Sequence, residues 1–553
     1  MQNPPQPPAL RSGLKLCNAH EREFYRLASG FTARSVVRFP EWGSSLGWNI
    51  YDGFLGKNDP SIHRAQIADT AATLARIEAM PDSAFQGDSW LDRRAFLSSL
   101  RCSLLENQTF SRWQNNPQTH CHAAVESIFG LSIRFSHNLR LALPSIESRL
   151  LGLPDYLSAG ADCVFRPVPI WTRLAVEACE GAVEFLNGLE KELLALSKHP
   201  RKLSAAFAAA CRSFHDYAST IQQKKPGPAK GYCIGRQAFD FLIREKLGLD
   251  SSLPSLEAEG RLLVARIEKA CQDEARHLGF SSSRTALEFA AASWTPDRPL
   301  IELYKESTAA LKKQLTGFAS TPPGETLTVL PAPPFLRHQF PTAAYTAPPP
   351  FARRQRGIFW VNDLSLEAPD EPTRLAEIRQ HFGLELTAAH EAYPGHHLQF
   401  AIQNRHPSML RRTFAHSIFY EGWTMWCEKQ MIEQGCVIGR FSKLQYLHDS
   451  LWRAHRITID CGLHSGRLTP SAAARQLVNG VGFTPARARA DVNWYTSAPT
   501  VPMSYLLGRI ELEKLHNQLV VQRGWPLKKF HDTILSCGAL PWSWLRTAHP
   551  DWT

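Results

Sequence analysis

The 553-residue sequence predicts a large, mainly α fold with two lobes and one small β-ribbon or edge sheet. Two observations lead there. Apolar residues recur at three- and four-residue intervals through most of the chain, as one buried helix face requires. Strand-like pieces are confined to one Pro-rich stretch between residues 322 and 361. The composition, 44% hydrophobic and 20% charged, is that of an ordinary globular protein. Its length suits two or three domains, or one large helical body with two lobes.

In chain order, residues 1–20 open on Met1-Gln-Asn-Pro-Pro-Gln-Pro-Pro and are expected to be a disordered, Pro-rich start. They lack the apolar core of a secretory signal, which leads to a cytoplasmic expectation. Residues 21–320 are expected to form a helical lobe that makes one wall of a cleft. Its periodic stretches are 65–77, 90–105, 176–196, 203–222 and 255–278, separated by Pro- or Gly-containing turns. Residues 321–553 are expected to form a metal-binding catalytic lobe, with a β-ribbon at 326–361 followed by helices. Prolines at 322–323, 331, 333–334, 341 and 348–350 flank strand-like pieces at 326–330 and 357–361 and a short exposed piece at 343–345. Such Pro density favours edge strands over a central one. An edge strand near a cleft could grip an extended substrate by backbone pairing, which makes Ala344 and Tyr345 candidate substrate-binding residues. Helices resume at Pro372.

Several classes are disfavoured. No stretch approaches the roughly 20 apolar residues of a membrane span. The net charge of +11 comes without a Lys/Arg run, a phosphate loop or zinc-finger spacing, so neither nucleic acid nor membrane is the expected partner. Twelve cysteines without Cys-x-x-Cys pairs read as buried, reduced thiols. Nothing in the sequence fixes the oligomeric state.

The chemistry-bearing segment is His390-Glu391-Ala392-Tyr393-Pro394-Gly395-His396-His397. Two imidazoles suit a borderline metal ion, and an adjacent carboxylate suits a general base. In the helical motif His-Glu-x-x-His, positions i and i+4 share a face. Here position i+4 is Pro394, which cannot ligate and disrupts a helix. The Pro-Gly pair therefore reads as a kink that makes His396 the second ligand, with His397 in reserve. Pro407 ends the motif segment, and a helix is expected from Ser408 through Glu428. It carries Glu421 amid aromatic residues, where a carboxylate is costly unless paired or metal-bound. Glu421 is the expected third ligand; the competing reading pairs it with Arg411 or Arg412. Glu428, seven residues on, is either the alternative ligand or a group that holds a ligand histidine's ring N–H. The later helix 444–462 carries Arg456, placed to clamp a carboxylate or to pair with Asp460 at i+4. Asp460 could orient a ligand histidine, and His464 could stabilise a transition state or cap a helix end.

These residues resemble the bacterial proteins catalogued as domain-of-unknown-function family 885. The signature His-Glu-x-x-Pro-Gly-His-His-x-Gln is matched from His390 to Gln399. Glu-Gly-Trp is matched by Glu421, Gly422 and Trp423. Asp-x-Gly-x-His is matched by Asp460, Gly462 and His464, and Ser-Tyr-x-x-Gly by Ser504, Tyr505 and Gly508. The family usually has a Gln between Pro499 and Tyr505, where this chain has Val501 and Pro502. The resemblance implies a zincin-like, peptidase-like metallohydrolase. It also favours Tyr505 over Tyr495 as the phenol that meets a developing oxyanion.

The expected activity is therefore hydrolysis of an amide bond in a peptide or small amide. His390, His396 and Glu421 would hold one Zn2+, with Fe2+ or Mn2+ as alternatives. Glu391 would act as general base, and Tyr505 or His464 would meet the oxyanion. Arg456 or Arg509 would hold a substrate carboxylate, as in an exopeptidase or dipeptidase. Two rival readings are a non-peptide amide or lactam hydrolase of a biosynthetic pathway, and a helical binding scaffold with a silent metal site.

Overall fold

The computed structural model describes residues 4–332 and 342–552; Pro333, Pro334 and Pro341 lie outside them. The fold is mainly helical, with one three-stranded sheet among the described residues. The chain divides into two compact units. One comprises residues 1–232, 349–353 and 407–413; the other comprises 233–348, 354–406 and 414–553.

In the first unit the periodic stretches become helices Pro60–Glu78, Gly87–Leu104, Pro169–Leu194 and Pro200–Gln223. Three of them start with proline at the first position, where no amide donor is needed, and Asp59 caps the first with its side chain. Their inward faces place Trp171, Phe207 and Phe214 at full burial. The start of the chain is not the free tail expected. Leu10 is buried, the Tyr51 hydroxyl donates to the Pro5 carbonyl at 2.6 Å, and the Met409 amide donates to the Arg11 carbonyl at 3.1 Å. One apolar side chain and these bonds suffice to strap a Pro-rich segment down.

The border expected near residue 320 falls at residue 232. Helix Leu253–His277 packs along helix Ser442–His464, because Gly260 lets its backbone approach Ile457 and Thr458 closely; a Cβ there would sit 2.9 Å from the Ile457 side chain. A second correction concerns the helix expected from Ser408, which begins only at Ser417. Residues 407–413 belong to the first unit. There Asp92 accepts from Arg411 Nε at 2.5 Å, from Ser408 at 2.6 Å and from Tyr25 at 2.6 Å. Extending the helix backward would tear Arg411 from this fully buried pair.

In the second unit, strands β1 (Thr326–Pro331), β2 (Ala343–Thr346) and β3 (Arg356–Val361) run in the order β1-β3-β2, with β1 parallel and β2 antiparallel to β3. β3 is central, against expectation. It contains no proline, so every amide is free to pair. β2 is an edge strand. The Asn362 amide donates to the Thr342 carbonyl at 2.7 Å, and pairs alternate in an antiparallel ladder. Ala344 and Thr346 therefore exchange bonds with β3, while Ala343 and Tyr345 turn their backbone groups outward. This corrects the assignment of Ala344, whose backbone is spent within the sheet.

Replacing Arg411 with Met leaves Asp92 an uncompensated buried charge. Equilibrium urea unfolding should show a loss of about 3–5 kcal/mol.

Candidate metal centre

The segment bearing the two histidines forms two short helices, Leu384–Glu391 and His396–Gln403. Between them Tyr393–Pro394 is a cis peptide, and Gly395 returns the chain against the first helix. A Cβ on Gly395 would collide with the Ala389 and His390 carbonyls, so only glycine allows this approach. The third side chain comes from helix Ser417–Glu433. Its Trp423 donates from Nε1 to the Pro394 carbonyl at 2.9 Å, which ties the Glu421 helix to the kink.

The result is a compact donor set. One ligand atom each from His390, His396 and Glu421 lies within 4.8 Å of the others. Glu421 Oε2 is 3.6 Å from Nε2 of both histidines and has no hydrogen-bond partner. Ligands about 2.1 Å from a tetrahedral ion stand roughly 3.4 Å apart, so the residues present fit a zinc-type site. The three side chains are largely buried, 11–12% exposed. His390 Nδ1 meets Glu428 Oε1 at 2.6 Å, so Glu428 holds the ring as expected and leaves Nε2 for the cluster.

Charge and burial pull against each other here. Burial alone would push His390 down, but Glu421 and Glu428 win and carry it up to about 10. Burial pushes His396 down to about 4, which leaves it neutral and ready to ligate. Burial raises Glu391 to about 7, with Glu421 and Glu428 adding to the effect and His390 opposing it. The nearby Tyr345 amide opposes the rise. The Tyr505 phenol lies beside Glu421, and burial keeps it neutral.

Tyr505 reaches this position through a close helix crossing. Gly422 and Gly508 bring helix Ser417–Glu433 against helix Val501–His516. A Cβ on Gly422 would sit 2.7 Å from the Gly508 Cα, and one on Gly508 would strike the Ile418 carbonyl. The Glu-Gly-Trp and Ser-Tyr-x-x-Gly blocks are thus two halves of one contact. Residues 40–548 match the family described as bacterial protein of unknown function (DUF885). The chain belongs to DUF885.

No curated protein matches this DUF885 chain. Solved structures share its fold. One from Shewanella oneidensis, provisionally named a lipoprotein of unknown function, is 19% identical; the match covers 95% of this chain and 99% of that one, with a TM-score of 0.75. One from Colwellia psychrerythraea, likewise provisionally named a lipoprotein, is 16% identical; the match covers 97% and 99%, with a TM-score of 0.76. Among the described residues no helix is long and apolar enough to cross a membrane.

Other residues singled out in the DUF885 chain stand elsewhere. His397 is not held in reserve as a ligand, because Nε2 meets Glu325 at 2.5 Å and Nδ1 meets the Tyr345 hydroxyl at 3.1 Å. Arg411 pairs with Asp92, so the Glu421–Arg411 reading falls. Arg456 is 4% exposed; its Nε donates to the Tyr495 hydroxyl, its acidic neighbour is Asp491 rather than Asp460, and its guanidinium packs on the Trp452 and Tyr505 rings. It backs the phenol and offers no open fork to a ligand. Arg509 is bound to Tyr446 and Glu513. Asp460 takes the Thr500 amide at 3.0 Å and so caps the helix of Tyr505; it holds no ligand histidine. His464 is fully buried, with Nε2 on the Tyr495 carbonyl at 3.1 Å and its ring stacked on Phe239, which makes it a packing residue. Sequence reasoning missed Glu325, Phe400 and Tyr420. The two aromatic residues flank His396, with ring centroids 6.1 and 5.9 Å away.

Glu421→Gln should abolish stoichiometric zinc binding in calorimetric titration, whereas Glu428→Gln, which loosens the His390 ring, should weaken it about ten- to hundredfold. Equal affinities for both variants and the parent chain would place the metal elsewhere.

Proposed function

We propose that the chain is a metal-dependent hydrolase that cleaves an amide bond in a peptide substrate. The observation that carries this reading is the convergence of His390, His396 and Glu421, with Glu391 next in sequence to a ligand. These three residues would hold one divalent ion, with zinc favoured by the nitrogen and oxygen donors. Once bound, such an ion supplies Lewis acidity and draws the pKa of water toward neutrality.

The remaining steps belong to the protein. Glu391, steadied by the Tyr345 amide, takes a proton from the attacking water and delivers it to the leaving nitrogen. Tyr505, neutral and backed by Arg456, offers its O–H to the developing oxyanion. The outward backbone of Ala343 and the Tyr345 carbonyl offer a pairing edge to an extended chain. Tyr345, Phe400 and Tyr420 form an aromatic wall around His396 that suits an apolar substrate side chain. Arg456 and Arg509 are committed to internal partners, so neither of these two is open to clamp a terminal carboxylate. This favours an oligopeptide held by its backbone over a dipeptide held by its end.

Location draws two opposed arguments. The lipoprotein naming of the structural relatives favours export. Twelve cysteines, none of them in a disulfide among the described residues, favour a reducing compartment such as the cytoplasm; cell fractionation decides between the two.

Short peptides with free and with blocked termini, assayed with zinc-loaded and chelated protein, test the activity. Glu391→Gln should keep its zinc while kcat falls roughly a hundred- to ten-thousandfold. Undiminished turnover in that variant, or in chelated protein, would remove the mechanism.

A further inference from the structure

Behind the candidate centre lies a buried polar chain that the proposed mechanism does not use. Glu325 sits just before β1. Its Oε1 accepts from Lys312 Nζ at 2.7 Å, and its Oε2 accepts from the Tyr393 hydroxyl at 2.7 Å and from His397 Nε2 at 2.5 Å. A carboxylate so placed makes Nε2 the donor of the His397 ring. In the neutral ring Nδ1 is then the acceptor, and the Tyr345 hydroxyl, 3.1 Å away, donates to it. Tyr345 stands at the far end of this chain with two further contacts. Its ring lies nearly parallel to that of His396, at 6.4 Å and 15° between planes, and its amide is near enough to lower the pKa of the Glu391 carboxylate.

A separate observation on β3 shows that the Tyr345–His397 contact is built into the sheet. Gly357 faces it, and a Cβ there would lie 2.5 Å from His397 Nδ1, 2.7 Å from Tyr345 Cε2 and 2.9 Å from Tyr345 Oη. Any larger residue would push the phenol and the imidazole apart. The central strand thus leaves a gap the size of one methyl group, and the hydrogen bond crosses it.

We propose that His397 is a positioning residue: with Glu325 it fixes the Tyr345 side chain, and Tyr345 in turn fixes the Glu391 carboxylate and the face of His396. The inference rests on the hydrolase reading only for its kinetic consequence. The tandem histidines then divide the labour, His396 toward the metal and His397 toward the residue that aligns the base. An amide that faces Glu391 from a strand backbone needs that strand held in register, and among the described residues β2 pairs with β3 alone. The phenol–imidazole bond supplies the second anchor.

Tyr345→Phe removes only the phenol oxygen and keeps the ring and the amide. It should bind zinc with parent stoichiometry and lower kcat roughly ten- to hundredfold, a larger change than any in KM. Hydrogen-exchange mass spectrometry should show faster exchange in residues 343–346 alone. His397→Gln and Gly357→Ala should reproduce that pattern. Parent kcat and parent exchange in Tyr345→Phe would overturn the proposal. So would loss of zinc from His397→Gln alongside its retention in His396→Gln, since His397 would then be the ligand. If His397→Gln fails to fold, Tyr345→Phe carries the test. If the parent chain cleaves no peptide, the hydrolase reading falls, and exchange at 343–346 still decides the anchoring role by itself.

Discussion

Gly395 lies against the carbonyls of Ala389 and His390, an approach that no side chain would permit, and this return carries His396 back beside His390. A continuous helix would place residues six apart on different faces and well separated along the axis. Folding the chain back converts that separation into a ring-to-ring distance of 4.9 Å. The turn is held from outside by the Trp423 indole, and Trp423 belongs to the helix that brings Glu421. One indole hydrogen bond therefore couples the placement of the second imidazole to that of the carboxylate. The glycine crossing then sets Tyr505 against the same carboxylate. Each partner of the centre is positioned by the one before it.

The electrostatics follow from this crowding. Glu391, Glu421 and Glu428 surround His390, and like charges at short range are costly in a half-dry site. Without a metal, a proton on His390 relieves them. A cation entering here would take over that task, so its binding would be coupled to proton release. Outside this ring the charges are already matched: Arg509 and Lys429 share Glu513, and Lys312 answers Glu325. Within the centre the buried Glu421 Oε2 has no hydrogen-bond partner.

Much of this was legible in the sequence. Helical periodicity located several of the long helices, most of their ends to within a few residues, because each buries one continuous stripe; Ala19–Arg38, Leu143–Cys163 and Leu300–Phe318 were not singled out. The Pro-Gly pair correctly favoured His396 over a regular helical spacing, because proline's missing amide and glycine's missing Cβ are local properties. Long-range partners were not legible. Glu325 lies in a Pro-rich connection with nothing nearby to mark it, and its importance appears only when β1 carries it beneath His397. Arg456, Asp460 and His464 have the composition of a ligand-binding face, yet they are buried among Trp452, Thr500 and Phe239. A helix pattern shows which residues share a side and does not show what lies opposite. The same limit explains Ser408, whose helical surroundings gave no sign that Arg411 is claimed by Asp92.

That claim has a bearing on how the protein is assembled. Asp92, Tyr25 and their neighbours are made early in synthesis, but the guanidinium that neutralises them is encoded more than three hundred residues later. A fragment ending at residue 232 would contain most of the first unit and lack its charge partner, so it would bury an anion with the Tyr25 hydroxyl as its remaining donor from that trio. The amino-terminal helices are thus not an autonomous module to be excised or grafted. They reach their finished state only after translation has passed the histidine segment, so an intact first unit reports that the chain has been made at least through residue 413.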